Sequence, residues 1–133
     1  MNTTDNQVLL ECVPNFSEGR NPVVIESIAA AIRQIVGVKL LHVDPGYDAN
    51  RTVMTFVGAP LAVVEAAFQS IKTASHLIDM RQHQGTHPRI GATDVCPLVP
   101  IAGMSIDEAV VLARTLGQRV GTELNIPVYL YEY

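Results

Sequence analysis

The sequence predicts an α+β domain, and three observations lead there. Short apolar, β-branched runs alternate with longer stretches of helical periodicity. Their order reads β-α-β-β-α-β, followed by an added α-β. The first six elements match the split βαβ, or ferredoxin-like, pattern, which places helices on one face of a mixed sheet.

Each element has a local reason. Val8 to Val13 is apolar and β-branched and reads as the first strand. Asn15-Phe-Ser-Glu-Gly-Arg-Asn21 follows as a polar loop. Pro22 suits the first helical position with Asn21 as its cap. Val24, Ile25, Ile28, Ile32 and Ile35 recur at helical spacing until Gly37 stops the helix. Val38 to Val43 reads as the second strand, and Asp44-Pro-Gly-Tyr-Asp-Ala-Asn50 as a dense turn cluster. Arg51 to Val57 is the third strand, and the short connection predicts an antiparallel pair.

Gly58-Ala59-Pro60 opens a second helix, with Leu61, Val64, Phe68, Ile71, Ser75 and Ile78 on or near one stripe. Val95 to Val99 is a fourth strand, interrupted by Pro97 and ended by Pro100, so it is expected to be short or at an edge. Ser105-Ile-Asp-Glu108 is a capping box for a third helix carried by Ile106, Ala109, Val110, Ala113, Leu116, Val120 and Leu124. Val128 to Tyr133 reads as a fifth strand.

The strands are apolar on both faces. Val53, Thr55 and Val57 alternate with Met54 and Phe56, and Val128 and Leu130 with Tyr129 and Tyr131. A sheet covered on one side should alternate apolar with polar. The second face is therefore expected to pack against another sheet, from a partner subunit or a further domain. The alternative is a topology with helices on both sides.

At 133 residues the chain fits one domain, expected over residues 8–133 behind a flexible segment, 1–7. A 48% hydrophobic content supplies a core and argues against disorder. A net charge of −4 argues against general nucleic-acid binding. The polar start does not resemble a signal peptide and no apolar run is long enough to span a membrane, so a cytoplasmic protein is expected. Cys12 and Cys96 each lie in an apolar run and read as reduced thiols packed as small hydrophobes. Their spacing suggests neither zinc nor a disulfide framework.

The chemistry concentrates in Arg81-Gln-His83-Gln-Gly-Thr-His87-Pro-Arg89-Ile-Gly-Ala-Thr-Asp94. Glycine and proline exclude a regular helix there, so it reads as a loop after a long helix. His87, biased to an extended backbone by the following proline, reads either as a general base or acid or as a histidine that only bonds the loop backbone. His83, four residues earlier, reads as its partner. No third ligand makes zinc attractive, and no metal is expected. His42 and Asp44 alternate on the second strand and share a face. Asp44 reads as the orienting carboxylate of a catalytic pair or as a turn-initiating aspartate. Asp94 reads as a loop-stabilising residue, and His76 as a helix-end histidine. Arg20, Arg51, Arg81 and Arg89 all fall in or beside turns, which suggests a local anion site on an acidic protein. The loop Asn15 to Arg20 offers amides and a guanidinium for an anion. No GxGxxG, Walker or Gly-x-Ser-x-Gly sequence is present.

Several blocks together resemble the N-terminal subdomain of the glutamate formimidoyltransferase (formiminotransferase-cyclodeaminase) family. They are Glu11-Cys-Val-Pro-Asn-Phe-Ser-Glu-Gly-Arg20, Asp44 with Asn50-Arg-Thr-Val53 and Thr55-Phe-Val-Gly58, Leu77-Ile-Asp-Met80, His83-Gln-Gly-Thr-His-Pro-Arg89, Gly91-Ala-Thr-Asp-Val-Cys-Pro97 and Ile126-Pro-Val-Tyr-Leu-Tyr131. The resemblance runs from Val8 to near the last residue.

The resemblance implies formimidoyl transfer from formimidoylglutamate to tetrahydrofolate, the co-substrate. It makes His87 the catalytic base and Asp44 the acidic residue beside it. It implies that Arg20, Arg51 and Arg89 meet substrate carboxylates, with Asn15, Ser17, Asn50, His83 and Asp94 completing the substrate- and folate-binding set. It also implies two related ferredoxin-like subdomains with folate between them. Completion by a second subdomain is then expected, through a homodimer or a separate C-terminal-subdomain subunit. The competing readings are a non-catalytic folate- or anion-binding subunit that assembles through its open sheet face, and a purely structural subunit.

Overall fold

A computed structural model describes residues 7–80 and 91–130. It is an α+β structure of three helices and a curled antiparallel sheet. The strands are β1 (Leu9–Cys12), β2 (Asn15–Phe16), β3 (Val38–Gly46), β4 (Arg51–Gly58), β5 (Thr93–Val95) and β6 (Leu98–Ala102). The helices are α1 (Pro22–Arg33), α2 (Pro60–Leu77) and α3 (Ile106–Leu124).

Strand β4 is the hub. It pairs with β3 along its whole length, with β1 at one end and with β2 at the other. β6 adds to β1, and β5 to β2. Every pairing among the described residues is antiparallel, which corrects the expectation of a mixed sheet. The physical reason is the crossover. α1 leads from β1 and β2 to β3, but β4 inserts between them and β3, so each meets an antiparallel neighbour.

Prolines split what the sequence suggested were single strands. Pro14 cannot donate to a ladder, so the first strand divides into β1 and β2, and β2 takes up the start of the expected polar loop. The Pro14 carbonyl still accepts from the Met54 amide at 3.1 Å, and the Val13 amide donates to the Pro97 carbonyl at 3.2 Å. Cys96 and Pro97 divide the fourth strand into β5 and β6. The fifth strand expected over Val128 to Tyr133 is not formed over 128–130, and its remaining residues lie outside the described ones. Val128 and Leu130 instead lie against α3, where a Cβ added at Gly117 would come within 3.1 Å of Val128 Cγ1 and 3.3 Å of Leu130 Cδ2. A glycine on the helix lets the extended segment approach closely, and helix packing takes the place of a ladder.

The local helix signals hold. The Asn21 side chain accepts from the Val23 and Val24 amides at 3.0 and 3.3 Å, and Pro22 opens α1. The reciprocal Ser105–Glu108 capping box is present at 2.9 and 3.1 Å. α1 ends at Arg33, one turn before Gly37, which takes φ +91 in the turn into β3. β3 runs through Asp44, Pro45 and Gly46, so the turn cluster contracts to residues 47–50. A bulge at Leu41 shifts the β3–β4 register. At the β4–α2 corner a Cβ on Gly58 would lie 2.0 Å from the Gly37 carbonyl oxygen, so only glycine fits.

One face of the sheet carries the core. Leu10, Cys12, Phe16, Met54 and Phe56 are fully buried there. They pack with Ile28 and Ile32 of α1, Val63, Ala67, Phe68 and Ile71 of α2, and Leu116 and Val120 of α3. α2 and α3 are also joined by a polar clamp. Arg119 donates to Glu65 at 2.6 Å and to Glu123 at 3.0 Å, and its guanidinium lies 3.7 Å from the Phe68 ring centroid. The Arg119 hydrogen bond, helped by Gln69, holds the Glu65 carboxyl below the usual carboxylate range. No helix among the described residues is long and apolar enough to cross a membrane.

Two measurements test this packing. Phe56→Ala empties the centre of the core and is expected to cost about 3–5 kcal/mol in chemical denaturation. Glu65 has a folded value below its unfolded one, so its contribution is complete above the unfolded value and lost as pH falls through the folded one. Glu65→Gln should therefore lower stability at neutral pH by less than about 1 kcal/mol, because the pair is partly exposed. Denaturation curves of the two proteins should converge in the acid range.

Candidate functional site

Among the described residues no helix lies on the opposite face of the sheet. Arg51, Val53, Thr55 and Val57 of β4 point there, alternating with the buried Thr52, Met54 and Phe56. Ladder register places Asp44, Val53, Asn15 and Val95 in one row across β3, β4, β2 and β5. Asp44 and Asn15 thus flank Val53, about 10 Å apart at two strand spacings. Asp44 is exposed and Asn15 half-buried. His42 sits opposite Thr55 and is also exposed, so His42 and Asp44 share this face. Farther along, Lys39, Val57, Glu11 and Val99 form another row. Arg51 is half-buried at the hairpin end and makes no ion pair among the described residues.

A tightly held loop borders that end of the face. Ser17 is buried; its hydroxyl donates to the Gly91 carbonyl at 2.7 Å, and its amide to the Ala92 carbonyl at 2.8 Å. The Gly19 amide donates to Asn50 Oδ1 at 2.8 Å. Asn50, nearly buried, closes the turn with φ +51, a left-handed conformation that asparagine tolerates. A Cβ on Gly19 would lie 2.3 Å from the Gly46 carbonyl oxygen, so the loop touches the hairpin backbone directly. Thr52 donates its hydroxyl to the Glu18 carbonyl at 2.5 Å. The Glu18 carboxylate accepts from the Arg20 and Asn21 amides, both at 3.0 Å.

Sequence reasoning grouped ten residues, and the structure distributes them. Asn15, Asp44 and Arg51 share the open face. Ser17 and Asn50 lie beneath the loop with their side chains turned to backbone, positioned to hold the site's frame. Arg20 donates to the Tyr47 and Asp48 carbonyls at 2.8 and 3.4 Å and lies 4.9 Å from the Tyr47 ring centroid, on the outside of the hairpin turn. Asp94 is exposed on β5. His83, His87 and Arg89 lie outside the described residues. Glu18, Tyr47 and Thr52 are structural partners that the sequence reading did not single out. Glu18 was legible as an acceptor three residues before the helix cap, whereas Thr52 looked like any strand threonine. His76 is exposed in the last turn of α2. Among the described residues no group of three His, Cys, Asp or Glu is placed to hold a metal ion.

The segments that build this face and its border lie within a stretch that is similar to known proteins. Residues 9–133 match the family described as the formiminotransferase domain, N-terminal subdomain. The chain belongs to the formiminotransferase family. It is 59% identical over 123 residues to the formimidoyltransferase-cyclodeaminase of Rattus norvegicus, covering 92% of this chain and 23% of that protein. It is 51% identical over 123 residues to the glutamate formimidoyltransferase of Thermoplasma acidophilum, covering 92% and 41%. With the Streptococcus pyogenes glutamate formimidoyltransferase it shares 48% over 124 residues, covering 93% and 42%. The chain thus spans less than half the length of these relatives.

In this formiminotransferase subdomain the Asn50 turn decides whether the loop stays seated. Asn50→Ala removes the acceptor for the Gly19 amide and places alanine in the left-handed region. It should cost about 2–4 kcal/mol by denaturation. Asn50→Gly relieves the backbone strain alone and should recover about 1 kcal/mol of that loss.

Proposed function

We propose that the open face is one wall of a formimidoyltransferase site, moving a formimidoyl group from formimidoylglutamate to tetrahydrofolate. The observation that carries this reading is the row Asp44–Val53–Asn15–Val95 on an uncovered sheet face, with Arg51 at its end. Family membership and the names of the relatives support the chemistry.

A carboxylate-bearing donor and a folate tail both need a cation, and Arg51 presents a planar fork for a carboxylate. Val53 and Val57 offer apolar surface to a flat ring beside the polar row. His87 is the proposed base. It takes a proton from the attacking nitrogen and returns it to the departing glutamate nitrogen. Asp44 is its proposed orienting carboxylate. The chain re-enters the described structure at Gly91, four residues beyond His87, where Ser17 holds the Gly91 carbonyl. His83, Arg89, Arg20 and Asp94 are proposed substrate contacts, with Ser17 and Asn50 fixing the frame.

The same reading assigns a ferredoxin-like core in which β1 with β2, β3, β4, and β5 with β6 act as the four strands. It also needs a second body over the open face. Val95, Val99 and Ile101 are 41%, 40% and 51% exposed there, an apolar surface that favours burial against a second subdomain or subunit. The protein is proposed to work in the cytoplasm.

Turnover of formimidoylglutamate and tetrahydrofolate, assayed with the chain joined to its completing part, tests the proposal. His87→Ala should lower kcat by about 10²–10⁴-fold, and Arg51→Met should chiefly raise KM. Full activity in His87→Ala would overturn the role given to that histidine. Tight folate binding without turnover would favour the non-catalytic binding subunit.

A further inference from the structure

Strand pairing has brought the chain's two cysteines together on the core side of the sheet. They stand 84 residues apart in sequence, yet Cys12 Sγ and Cys96 Sγ are 3.5 Å apart, both as free thiols. Cys12 lies on β1 and is fully buried. Cys96 is partly exposed in the break between β5 and β6. Neither belongs to the open face.

We propose that Cys12 and Cys96 form a redox site in which a peroxide converts the thiol pair to an intramolecular disulfide.

Exposure sets the order of events. Cys96 meets solvent first, so its thiolate sulfur attacks a peroxide oxygen. The O–O bond breaks, hydroxide leaves and Cys96 becomes a sulfenic acid. Cys12 sulfur then attacks Cys96 sulfur, the S–O bond breaks, and water departs with the Cys12 proton. One peroxide is reduced and two thiols are oxidised. Burial, reinforced by the neighbouring Cys96, holds the Cys12 thiol in its protonated form, so Cys96 meets the peroxide and Cys12 gives up its proton only as it attacks the Cys96 sulfenic acid.

The backbone can supply the movement. A disulfide needs an S–S distance of about 2.05 Å, so the sulfurs must close by about 1.5 Å. Cys96 sits where the ladder is interrupted. β6 pairs Leu98 with Cys12, and β5 pairs Val95 with Asn15. Between those rungs Val13 N–H to the Pro97 carbonyl is the backbone link. The bond would tie β1 to the segment that carries Val95 into the Asp44–Asn15 row.

The test uses the whole chain under native conditions, treated with hydrogen peroxide, alkylated and weighed intact. The expected product is a monomer lighter by two hydrogens that takes up no alkylating agent, with Cys12 and Cys96 peptides linked on non-reducing digestion. Its thermal midpoint should rise by several degrees and fall back with a reductant, because the bond closes a long loop. In Cys12→Ser, or Cys12→Ala if the hydroxyl is not tolerated in the core, dimedone should trap a sulfenic acid at Cys96. In Cys96→Ser the Cys12 thiol should survive the same exposure. Three outcomes overturn the proposal. One is both thiols persisting while free cysteine in the same tube is consumed. Another is Cys96 passing to sulfinic or sulfonic acid unlinked. The third is dimers joined through Cys96.

Discussion

Strand β4 pairs with three other strands, and the alternation of its side chains divides the molecule in two. Thr52, Met54 and Phe56 point into the helices and are fully buried. Arg51, Val53, Thr55 and Val57 point away from them. A shift of one residue in any of its ladders would exchange these sets. The same register that buries Phe56 therefore aligns Asp44 with Val53 and Asn15 on the other side. Core and open face are two readings of one hydrogen-bonding pattern.

The loop after β2 shows how the frame of the site is kept. Its polar groups are satisfied by neighbours far away in sequence: Ser17 by Gly91 and Ala92, Gly19 by Asn50, Glu18 by Thr52. Buried polar groups left unpaired are costly, so these contacts act as a mutual constraint. The hairpin turn, the start of α1 and the entry to β5 are tied to one another through them. That rigidity is what a ligand-binding rim needs, since precision comes from groups whose own positions are already fixed.

Much of this was legible in the sequence where the determinant is local. Asn21 before Pro22, and Ser105 three residues before Glu108, announce helix starts through groups within one turn. Asn50 beside Arg51 marked the hairpin. What escaped depends on distant partners. Val128 and Leu130 alternate like strand residues, but Gly117 gives them a helix surface to lie on instead. The sense of the sheet depends on β4 inserting between β1 and β3, which no residue of β1 encodes. Ser17 and Asn50 had the chemistry of ligand contacts, and only their packing shows both turned towards backbone. Asp44 and Asn15 were each visible as polar residues, but the ladder register makes them neighbours across Val53.

The rims of the sheet carry a further implication. Among the described residues β3 pairs only with β4, which leaves one flank of a nine-residue strand unpaired by them. Along it the Leu41 bulge disturbs the spacing, Lys39 adds charge and Pro45 removes a donor. At the far flank β6 contains Pro100. Bulges, lysine and proline are devices that stop strands from recruiting further strands. Sheet extension is thereby discouraged along both of these strands, which sets their rims apart from the broad surface around Val53 and Val99.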